Sequence, residues 1–398
     1  MKNIFALSTE QLKAIADNLQ VKIEEGLKKD GMEIAGIPTY ITPSKDILNG
    51  KVLALDWGGT NFRAAIVEFN NGKSAILEQK KKKMDAEVTT GFTQDDLHKA
   101  MAATISELTS LDSSVTRIGF CFSYPAQCEL NGDATLLRWT KGINIPEMVG
   151  KLVGEPLVKY LNTHINTNFT EIKILNDTVA CMFGGLGETG YDSYIGLIVG
   201  TGTNMASLMR ADKIEKLNGK ITGLIPVNLE SGNFKPPYLT EIDDKVDAAS
   251  SNAGQQRFEK VISGGYLGEI FKAYFPDKKI EGAFDGMHLA NMVKDPAGYP
   301  ANEVAIATAI DERSAQMVAA SLAGLVQVLR AQDANMKKFC LAADGSVFWD
   351  KNKEKTKPRY KELVAAALET LLPSGVSITI IDEMKDPNLI GSAIAALS

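Results

Sequence analysis

Residues 53–67 read LALDWGGTNFRAAIV, and this stretch determines the predicted fold. An apolar run, a Gly-Thr-Asn turn and a second apolar run predict a strand, a tight turn and a second strand of a hairpin. The same pattern recurs in residues 195–209, IGLIVGTGTNMASLM, with Gly202-Thr203-Asn204 in place of Gly59-Thr60-Asn61. The repeat indicates two related α/β halves.

Further elements follow from the spacing of apolar residues on either side. Residues 8–29 have the pattern of an amphipathic helix that Ser8 or Thr9 can cap, and residues 93–108 have the pattern of a second capped helix. Short apolar or alternating runs predict strands at residues 51–56, 62–69, 117–123 and 171–175, from about Ser74, from Tyr194, and within 337–346. Because no low-complexity linker separates the halves, we expect them to pack together with a cleft between them.

The composition is that of an ordinary globular protein. Of 398 residues, 44% are apolar and 23% are charged, which excludes disorder and a coiled-coil rod and suggests two or three domains. The net charge of −6 gives no positive field that would favour nucleic acid or an anionic membrane. The basic run of residues 80–83 is interpreted as the charged end of an edge strand.

Cysteines, histidines and apolar segments indicate the compartment. Four cysteines without a C-x-x-C pair give neither a disulfide framework nor a zinc ribbon, and three scattered histidines suggest no metal cluster. The N-terminal segment turns polar at Ser8, and the longest uncharged helical pattern, residues 314–329, is shorter than the ~20 residues of a membrane span. We expect a soluble, cytoplasmic protein without a membrane or nucleic-acid partner, and its oligomeric state stays open.

The turn after the first strand contains candidate phosphate ligands. Paired glycines, Gly58 and Gly59, expose backbone N–H groups to an anion. Asp56 at the end of the strand can hold a hydrated Mg²⁺, and Arg63 is a further positive donor. The alternative is a hairpin turn selected only for its backbone geometry, and the turn alone favours neither interpretation.

Two later segments are candidates for the same chemistry. Residues 200–204, GTGTN, repeat the first turn, so two turns could hold a polyphosphate from opposite sides of a cleft, although both could be only the turns of a duplicated fold. At Asn176-Asp177-Thr178 a carboxylate follows a strand and begins a helix. Asp177 could act as a general base on a hydroxyl. Ordinary helix capping is the alternative, and from the residues alone it is favoured.

Nine motifs follow one another along almost the whole chain: IPTYI (37–41), LALDWGGTNFR (53–63), GFCFSYPA (119–126), WTKGIN (139–144), LNDT (175–178), VGTGTN (199–204), NLESGNF (228–234), FEKVISGGYLGEI (258–270) and AADGSVF (342–348). In this order they resemble the hexokinase family of the actin-like ATPase superfamily. The resemblance implies a two-lobed actin-like ATPase (ribonuclease H-like) α/β fold, with duplicated mixed β-sheets flanked by helices and a central cleft.

The resemblance also implies the roles of individual residues. Asp177 is the implied general base, which takes the proton from the hexose 6-hydroxyl as that oxygen attacks the γ-phosphorus, and Lys141 and Arg63 are implied as further catalytic residues. A neutral sugar offers only hydroxyls, so its site needs paired donors and acceptors. Contacts to the sugar are implied for Asp177 itself and for Ser123, Thr140, Lys141, Asn176, Asn204, Glu230 and Glu259.

For the phosphate donor, the resemblance implies ATP with Mg²⁺, and Asp56 is the carboxylate that organises the metal through water. The implied nucleotide-binding residues form a first loop, a second loop and an adenosine site: Gly58, Gly59, Thr60, Asn61 and Arg63; Gly200, Thr201 and Gly202; and Gly345 and Ser346. Gly265 departs from the family pattern, because many relatives carry there a lysine thought to approach the nucleotide phosphates.

The predicted function is therefore an ATP-dependent hexokinase, with glucose as the expected hexose. Its small lobe is predicted to comprise residues 50–176 and 386–398, and its large lobe residues 1–49 and 177–385. One alternative is a kinase for another sugar or with another phosphate donor. The other is a catalytically weak sugar sensor or regulatory protein, against which the intact Asp177 and both glycine turns argue.

Overall fold

The computed structural model describes residues 4–44, 46–278, 284–349 and 359–398. Its strands, in chain order, are β1 (Ile37–Pro38), β2 (Gly50–Trp57), β3 (Asn61–Asn70), β4 (Lys73–Lys83), β5 (Arg117–Phe122), β6 (Ala126–Cys128), β7 (Ala134–Leu136), β8 (Glu171–Leu175), β9 (Ser193–Val199), β10 (Thr203–Arg210), β11 (Leu224–Asn228), β12 (Lys338–Asp344) and β13 (Ser377–Ile380). Its α-helices are α1 (Thr9–Lys28), α2 (Gln94–Ile105), α3 (Gly154–His164), α4 (Asp177–Gly184), α5 (Glu241–Ala249), α6 (Glu259–Ile262), α7 (Gly264–Tyr274), α8 (Gly286–Lys294), α9 (Ala301–Gln332), α10 (Ser346–Trp349), α11 (Arg359–Leu371) and α12 (Pro387–Ala396).

Two mixed sheets share one arrangement of strands. The first sheet has the order β4-β3-β2-β5-β8, in which β2 is antiparallel to β3 and parallel to β5. The second has the order β1-β11-β10-β9-β12-β13, in which β9 is antiparallel to β10 and parallel to β12. Strand β9 therefore corresponds to β2, and the two glycine turns join corresponding hairpins. The predicted duplication of mixed sheets is confirmed.

Local sequence signals place the elements close to where they were predicted. Helix α1 begins after Ser8, whose Oγ accepts the N–H of Gln11 at 3.3 Å, while the Gln11 side chain accepts the N–H of Ser8 at 2.8 Å. Thr93 and Asp96 form the same reciprocal cap at the start of α2. The basic run of residues 80–83 ends β4, the edge strand of the first sheet, as predicted.

The long helix α9 forms the centre of the second half. It packs against α1, α11 and β10, and its buried apolar side chains from Ala315 onward belong to one cluster with those of β9 and α1, whereas Ile306 to Ile310 pack in another cluster with α7 and α8. Burial around most of its circumference explains why its middle, residues 314–329, is uncharged. In the part of the chain that the structure describes, no helix is long and apolar enough to cross a membrane.

Helices α4 and α12 pack against each other between the two sheets, in an apolar cluster that includes side chains of β2, β3 and β10. One glycine permits the close approach of α4 to α12, and a second permits the close approach of α4 to β9. A Cβ atom on Gly391 of α12 would lie 1.7 Å from the carbonyl oxygen of Ala180, and one on Gly196 of β9 would lie 2.4 Å from that of Thr178. Because main chains are in contact at these points, the N-terminus of α4 has a defined place relative to both sheets.

Candidate active site

A cavity of about 1200 Å³ lies where strands of both sheets end. Its walls are the β2–β3 turn, the ends of β5 and β8, the start of α4, the β9–β10 turn and the segment after β11. Such carboxyl ends of parallel strands are the usual place for ligand sites in α/β sheets. The cavity is lined together by residues predicted for phosphate binding, sugar binding and proton transfer: Gly58, Gly59, Thr60, Ser123, Lys141, Asn176, Asp177, Thr201, Gly202, Asn204, Glu230 and Glu259.

The other predicted residues lie outside this lining. Ser346 borders a second cavity of about 400 Å³, and Thr201 lines both. Within the described ranges, the predicted residues that line neither cavity are Asp56, Asn61, Arg63, Thr140, Gly200 and Gly345. Two of them support the second turn: the Gly200 N–H donates to the Gly202 carbonyl at 2.9 Å, and Gly345 packs directly against Gly200.

Asp177 is the first residue of α4, and Asn176 before it is the helix cap. The Asn176 side chain accepts the N–H of Thr178 at 2.9 Å, and Asp177 Oδ1 accepts the same N–H at 2.7 Å. Oδ2 of Asp177 accepts no hydrogen bond from the described residues, so it can receive one from a ligand. Burial raises the pKa of the Asp177 carboxyl, the nearby charge of Lys141 opposes this shift, and the charge of Asp56 adds to it.

Lys141 connects the segment after β5 to the first glycine turn. Its Nζ donates to the Ser123 carbonyl oxygen at 2.9 Å and lies 5.4 Å from the centre of the Tyr124 ring. Its aliphatic stem lies over Gly59, where a Cβ atom would be only 2.7 Å from Lys141 Cδ. Glycine in this turn therefore leaves room for the lysine beside the cavity.

On the part of the cavity wall that the second half contributes, hydrogen bonds link a series of amide and carboxylate side chains. Asn204 Nδ2 donates to Asn228 Oδ1 at 2.7 Å, and Asn228 Nδ2 donates to Glu230 Oε1 at 2.8 Å. Asn204 Oδ1 also accepts the N–H of Ser231 at 3.1 Å. Burial raises the pKa of Glu230, partly offset by the hydrogen bond from Asn228. These bonds set the orientation of polar groups that can pair with ligand hydroxyls.

Glu259 completes that wall from another element. Its Oε2 accepts the N–H of Thr203 at 3.0 Å, which ties α6 to the second glycine turn. A Cβ atom on Gly202 would lie 2.6 Å from the same oxygen, so a larger residue at this turn position would have to displace the Glu259 carboxylate. Burial raises the pKa of Glu259, and the negative charge of Glu230 raises it further.

Asp56 and Arg63 form an ion pair behind the first turn. Arg63 Nε and Nη2 both donate to Asp56 Oδ2, at 2.7 and 2.5 Å, and Nη1 donates to Asp386 Oδ1 at 2.8 Å. Asp56 Oδ1 is buried and has no hydrogen-bond partner among the residues described. The guanidinium is thus held by two carboxylates, while Asp56 keeps one oxygen for another ligand.

Several residues of the site were not predicted from the sequence. The lining also includes Arg138, Asn228, Asn233 and Gln256, and Asp386 holds Arg63. Asn228 and Asn233 lie within the quoted NLESGNF motif, and Gln256 precedes FEKVISGGYLGEI by two positions, so the motifs contained a signal for these three. Nothing in the sequence connects Asp386 with Arg63, because their pairing depends on where α12 packs.

Metal-ligating side chains are sparse. No group of three or more histidine, cysteine, aspartate or glutamate side chains able to hold a metal ion occurs in the described segments. A single carboxylate with a free oxygen, such as Asp56, suits Mg²⁺, which keeps several waters and binds through one or two carboxylates together with substrate phosphates.

Comparisons with known proteins cover the whole chain. Two family models described as hexokinase match residues 1–186 and residues 194–295 and 301–398. Hexokinase-1 of Spinacia oleracea is 30% identical over 98% of this chain and 87% of its own length, and hexokinase-2 of Saccharomyces cerevisiae is 29% identical over 93% and 84%. A solved hexokinase from Schistosoma mansoni, complexed with glucose, has a TM-score of 0.78 and 25% identity over 99% of this chain and 96% of that one.

Proposed function

This chain belongs to the hexokinase family and is an ATP-dependent hexokinase, and we propose that it transfers the γ-phosphoryl group of ATP to the 6-hydroxyl of a D-hexose, with glucose preferred. Its α/β fold with two mixed sheets is the actin-like ATPase fold of the family. The observation that carries the proposal is one cavity in which Asp177 faces two glycine turns and a wall of hydroxyl-binding side chains.

We assign the general base to Asp177. Its Oδ2 is free to accept the hydroxyl proton, and its Oδ1 is held by the helix it begins. A raised pKa brings the carboxylate closer to the working pH, which makes it a better proton acceptor than an exposed aspartate. The attacking oxygen would gain negative character as the proton leaves, and the neighbouring Lys141 charge favours that change.

Side chains on both walls of the cavity would bind the sugar. Ser123, Lys141 and Asn176 lie on one side, and Asn204, Glu230 and Glu259 on the other. Thr140, which precedes Lys141 in the WTKGIN motif, is a further proposed sugar contact on the strength of that motif. Because hydrogen bonds to backbone groups and to Asn228 already orient several of these side chains, a sugar lacking a matching hydroxyl would leave buried polar atoms unpaired, which penalises its binding.

We place the donor phosphates between the two turns. Gly58, Gly59, Thr60 and Asn61 form the first binding loop, and Gly200, Thr201 and Gly202 the second. Thr201 borders both cavities, so a nucleotide could extend from the large cavity into the small one, where Ser346 and the adjacent Gly345 would contact adenosine. Arg63 would act through Asp56, which it holds.

Gly265 lines the second cavity at the position where many relatives carry a lysine, so the positive charge of that lysine is missing there. The N–H of Gly265 donates to the Thr201 carbonyl oxygen at 3.2 Å, and a Cβ atom there would lie 2.8 Å from the same oxygen. At this position the main chain packs on the turn and supplies no charge. Donor binding would therefore depend on the backbone of the turns and on the metal.

Mg²⁺ fits the residues present, because Asp56 has a buried oxygen without a partner. Asp56 would hold the ion, which when bound neutralises the phosphate charge and orients the γ-phosphoryl group. Arg63 fixes the orientation of the Asp56 carboxylate by donating two hydrogen bonds to its Oδ2. The cytoplasmic location expected from the cysteine content stays a prediction.

We propose that the two sheets lie in two lobes that close on the hexose. Residues 50–176 contain the first sheet, and residues 1–49 with 177–385 contain the second, including β1. Residues 386–398 join the small lobe through the contacts of α12 with β2 and β5. Closure would exclude water, which competes with the sugar for the phosphoryl group.

The test is phosphorylation by purified protein of glucose, mannose and fructose with Mg-ATP, with the position of the new phosphate mapped on the product. We expect turnover of at least glucose and phosphate at the 6-hydroxyl. Tight hexose binding without turnover with any nucleoside triphosphate would contradict the proposal and favour a sugar sensor.

A further inference from the structure

A buried charged cluster lies behind the Glu259 wall of the cavity. Asp247, near the end of α5, accepts hydrogen bonds from Lys260 Nζ at 2.6 Å, from Arg257 Nη1 at 3.3 Å and from the Gly254 N–H at 2.9 Å. Lys260 is only 1% exposed, and Asp247 and Arg257 are each 7% exposed. Ion pairs that are this buried require defined geometry, because an unpaired charge here would be strongly unfavourable.

The cluster fastens residues 250–258, the loop between α5 and α6, to helix α5. Lys260 Nζ also donates to the Asn252 carbonyl oxygen at 2.9 Å, and Arg257 Nη2 donates to Asp244 Oδ1 at 2.6 Å. One carboxylate, that of Asp247, therefore anchors the loop through Gly254 and through the side chains at its far end.

This loop supplies part of the cavity wall. Gln256 lines the cavity and has a φ of 51°, a left-handed conformation that a non-glycine residue holds only when its surroundings fix it. Its Oε1 would lie 2.4 Å from a Cβ atom on Gly232, and the Phe258 N–H donates to the Gly232 carbonyl oxygen at 3.1 Å. The loop thus packs on the turn that follows Glu230.

Helix α6 transmits this anchoring to Glu259. It spans only residues 259–262, too short to be stable by itself, so its orientation depends on contacts at its ends. Glu259 points to the Thr203 N–H, and the next residue, Lys260, points into the cluster. Holding Lys260 therefore fixes the position from which Glu259 enters the cavity.

We propose that Asp247 is a positioning residue for the acceptor sugar, which holds Gln256 and Glu259 in the cavity wall without touching the substrate. The inference rests on the proposed function, since it assumes that this wall binds the hexose. It makes sugar affinity depend on Asp247, while donor affinity and the phosphoryl-transfer step do not.

The test uses two variants, because Asp247→Asn alone leaves buried positive charges. Asp247→Asn/Lys260→Met removes both members of the pair, which proteins tolerate better than loss of one. For both variants we expect the glucose KM, and the glucose Kd measured by calorimetry without ATP, to rise at least about tenfold, the size of one lost hydrogen bond to a charged group. The KM for ATP and kcat should stay within about twofold.

The matched control is Asp243→Asn on the same helix. Asp243 is 2% exposed and receives two 2.8 Å bonds from Arg313, but it does not line the cavity. We expect this variant to lose thermal stability while its glucose Kd stays within about twofold of wild type.

Each outcome decides the proposal. A folded double variant with wild-type glucose affinity, or failure of both Asp247 variants to fold, would make Asp247 a structural residue only and overturn the inference. If wild-type protein neither binds nor phosphorylates a hexose, the proposed function itself is wrong, and that result is distinguishable because it appears without any substitution.

Discussion

Asp177 owes its properties to its position at the junction of β8 and α4. Asn176 takes the role of helix cap, so the carboxylate beside it needs only one oxygen for the helix backbone. Burial disfavours its charge, and Lys141 and the Thr178 N–H recover part of that cost. The capping explanation and the catalytic one are therefore compatible, because Asn176 is the cap and Asp177 uses only Oδ1 for the helix backbone.

The first prediction at this scale concerns pH. A general base must be ionised, and burial raises the pKa of Asp177, so kcat/KM should rise with pH through a value above the ordinary aspartate pKa of about 3.9. The measurement is kcat/KM for glucose against pH at saturating Mg-ATP. An activity that stays constant down to the ordinary aspartate range would contradict this role.

The second prediction concerns Gly202. A Cβ atom there would meet Glu259 Oε2 at 2.6 Å, so Gly202→Ala should displace that carboxylate and raise the glucose KM by about tenfold. Gly200→Ala is the control, because its Cβ atom would have its nearest contact at 3.4 Å, with Gly345 Cα. Equal glucose KM values for the two variants would show that Glu259 does not depend on this turn.

At the scale of residues, the sequence predicted which side chains belong to the site but not how they pair. The motifs named the residues that line the cavity, because each motif combines a turn or strand end with particular side chains. They did not indicate that Arg63 is shared by Asp56 and Asp386, since that contact joins positions far apart in the chain. The assignment of roles to these residues stays a prediction.

Close packing of α4 on α12 determines the geometry at the scale of elements. The two helices meet where Gly391 faces the Ala180 carbonyl oxygen, and α4 in turn lies against Gly196 of β9. Asp177, the proposed base at the start of α4, is therefore positioned by main-chain contacts on two sides. A side chain at Gly391 or Gly196 would collide with the main chain of α4 and would have to move that helix.

We expect Gly391→Ala to be destabilising by about 1–3 kcal/mol or more, because its Cβ atom would lie 1.7 Å from a backbone oxygen and the helices would have to separate. Chemical denaturation measures the change. Gly187→Ala is the control, since its Cβ atom would meet no atom within 4 Å. Equal stability of both variants would contradict the packing described.

Elements with local signals were the ones the sequence predicted well. The caps of α1 and α2, the two hairpins and the edge position of the basic run follow from neighbours in the chain. The packing of α12 between the sheets did not follow from spacing, because it depends on contacts between positions far apart in the chain, such as Gly391 and Ala180. Only the resemblance placed the last helix with the first half.

Duplication explains the architecture of the whole molecule. Each half contributes one hairpin with a glycine turn, and the cavity forms where the two turns face each other. The shared Gly-Thr-Asn tripeptide predicted this duplication only together with the strand-turn-strand pattern that surrounds it in both halves. The polar wall of Asn204, Glu230 and Glu259 comes from the second half, whereas Ser123, Lys141 and Asn176 come from the first, so both halves contribute to the proposed sugar site.

Asp177→Asn tests the central claim most directly. Kinetics with Mg-ATP and glucose should show kcat reduced by about 10²–10⁴-fold, the usual effect of losing a general base, with the glucose Kd changed only a few-fold. The variant should be at least as thermally stable as wild type at neutral pH, because a raised carboxylate pKa means that the charge costs folding free energy. A folded variant that keeps the wild-type kcat would contradict the account.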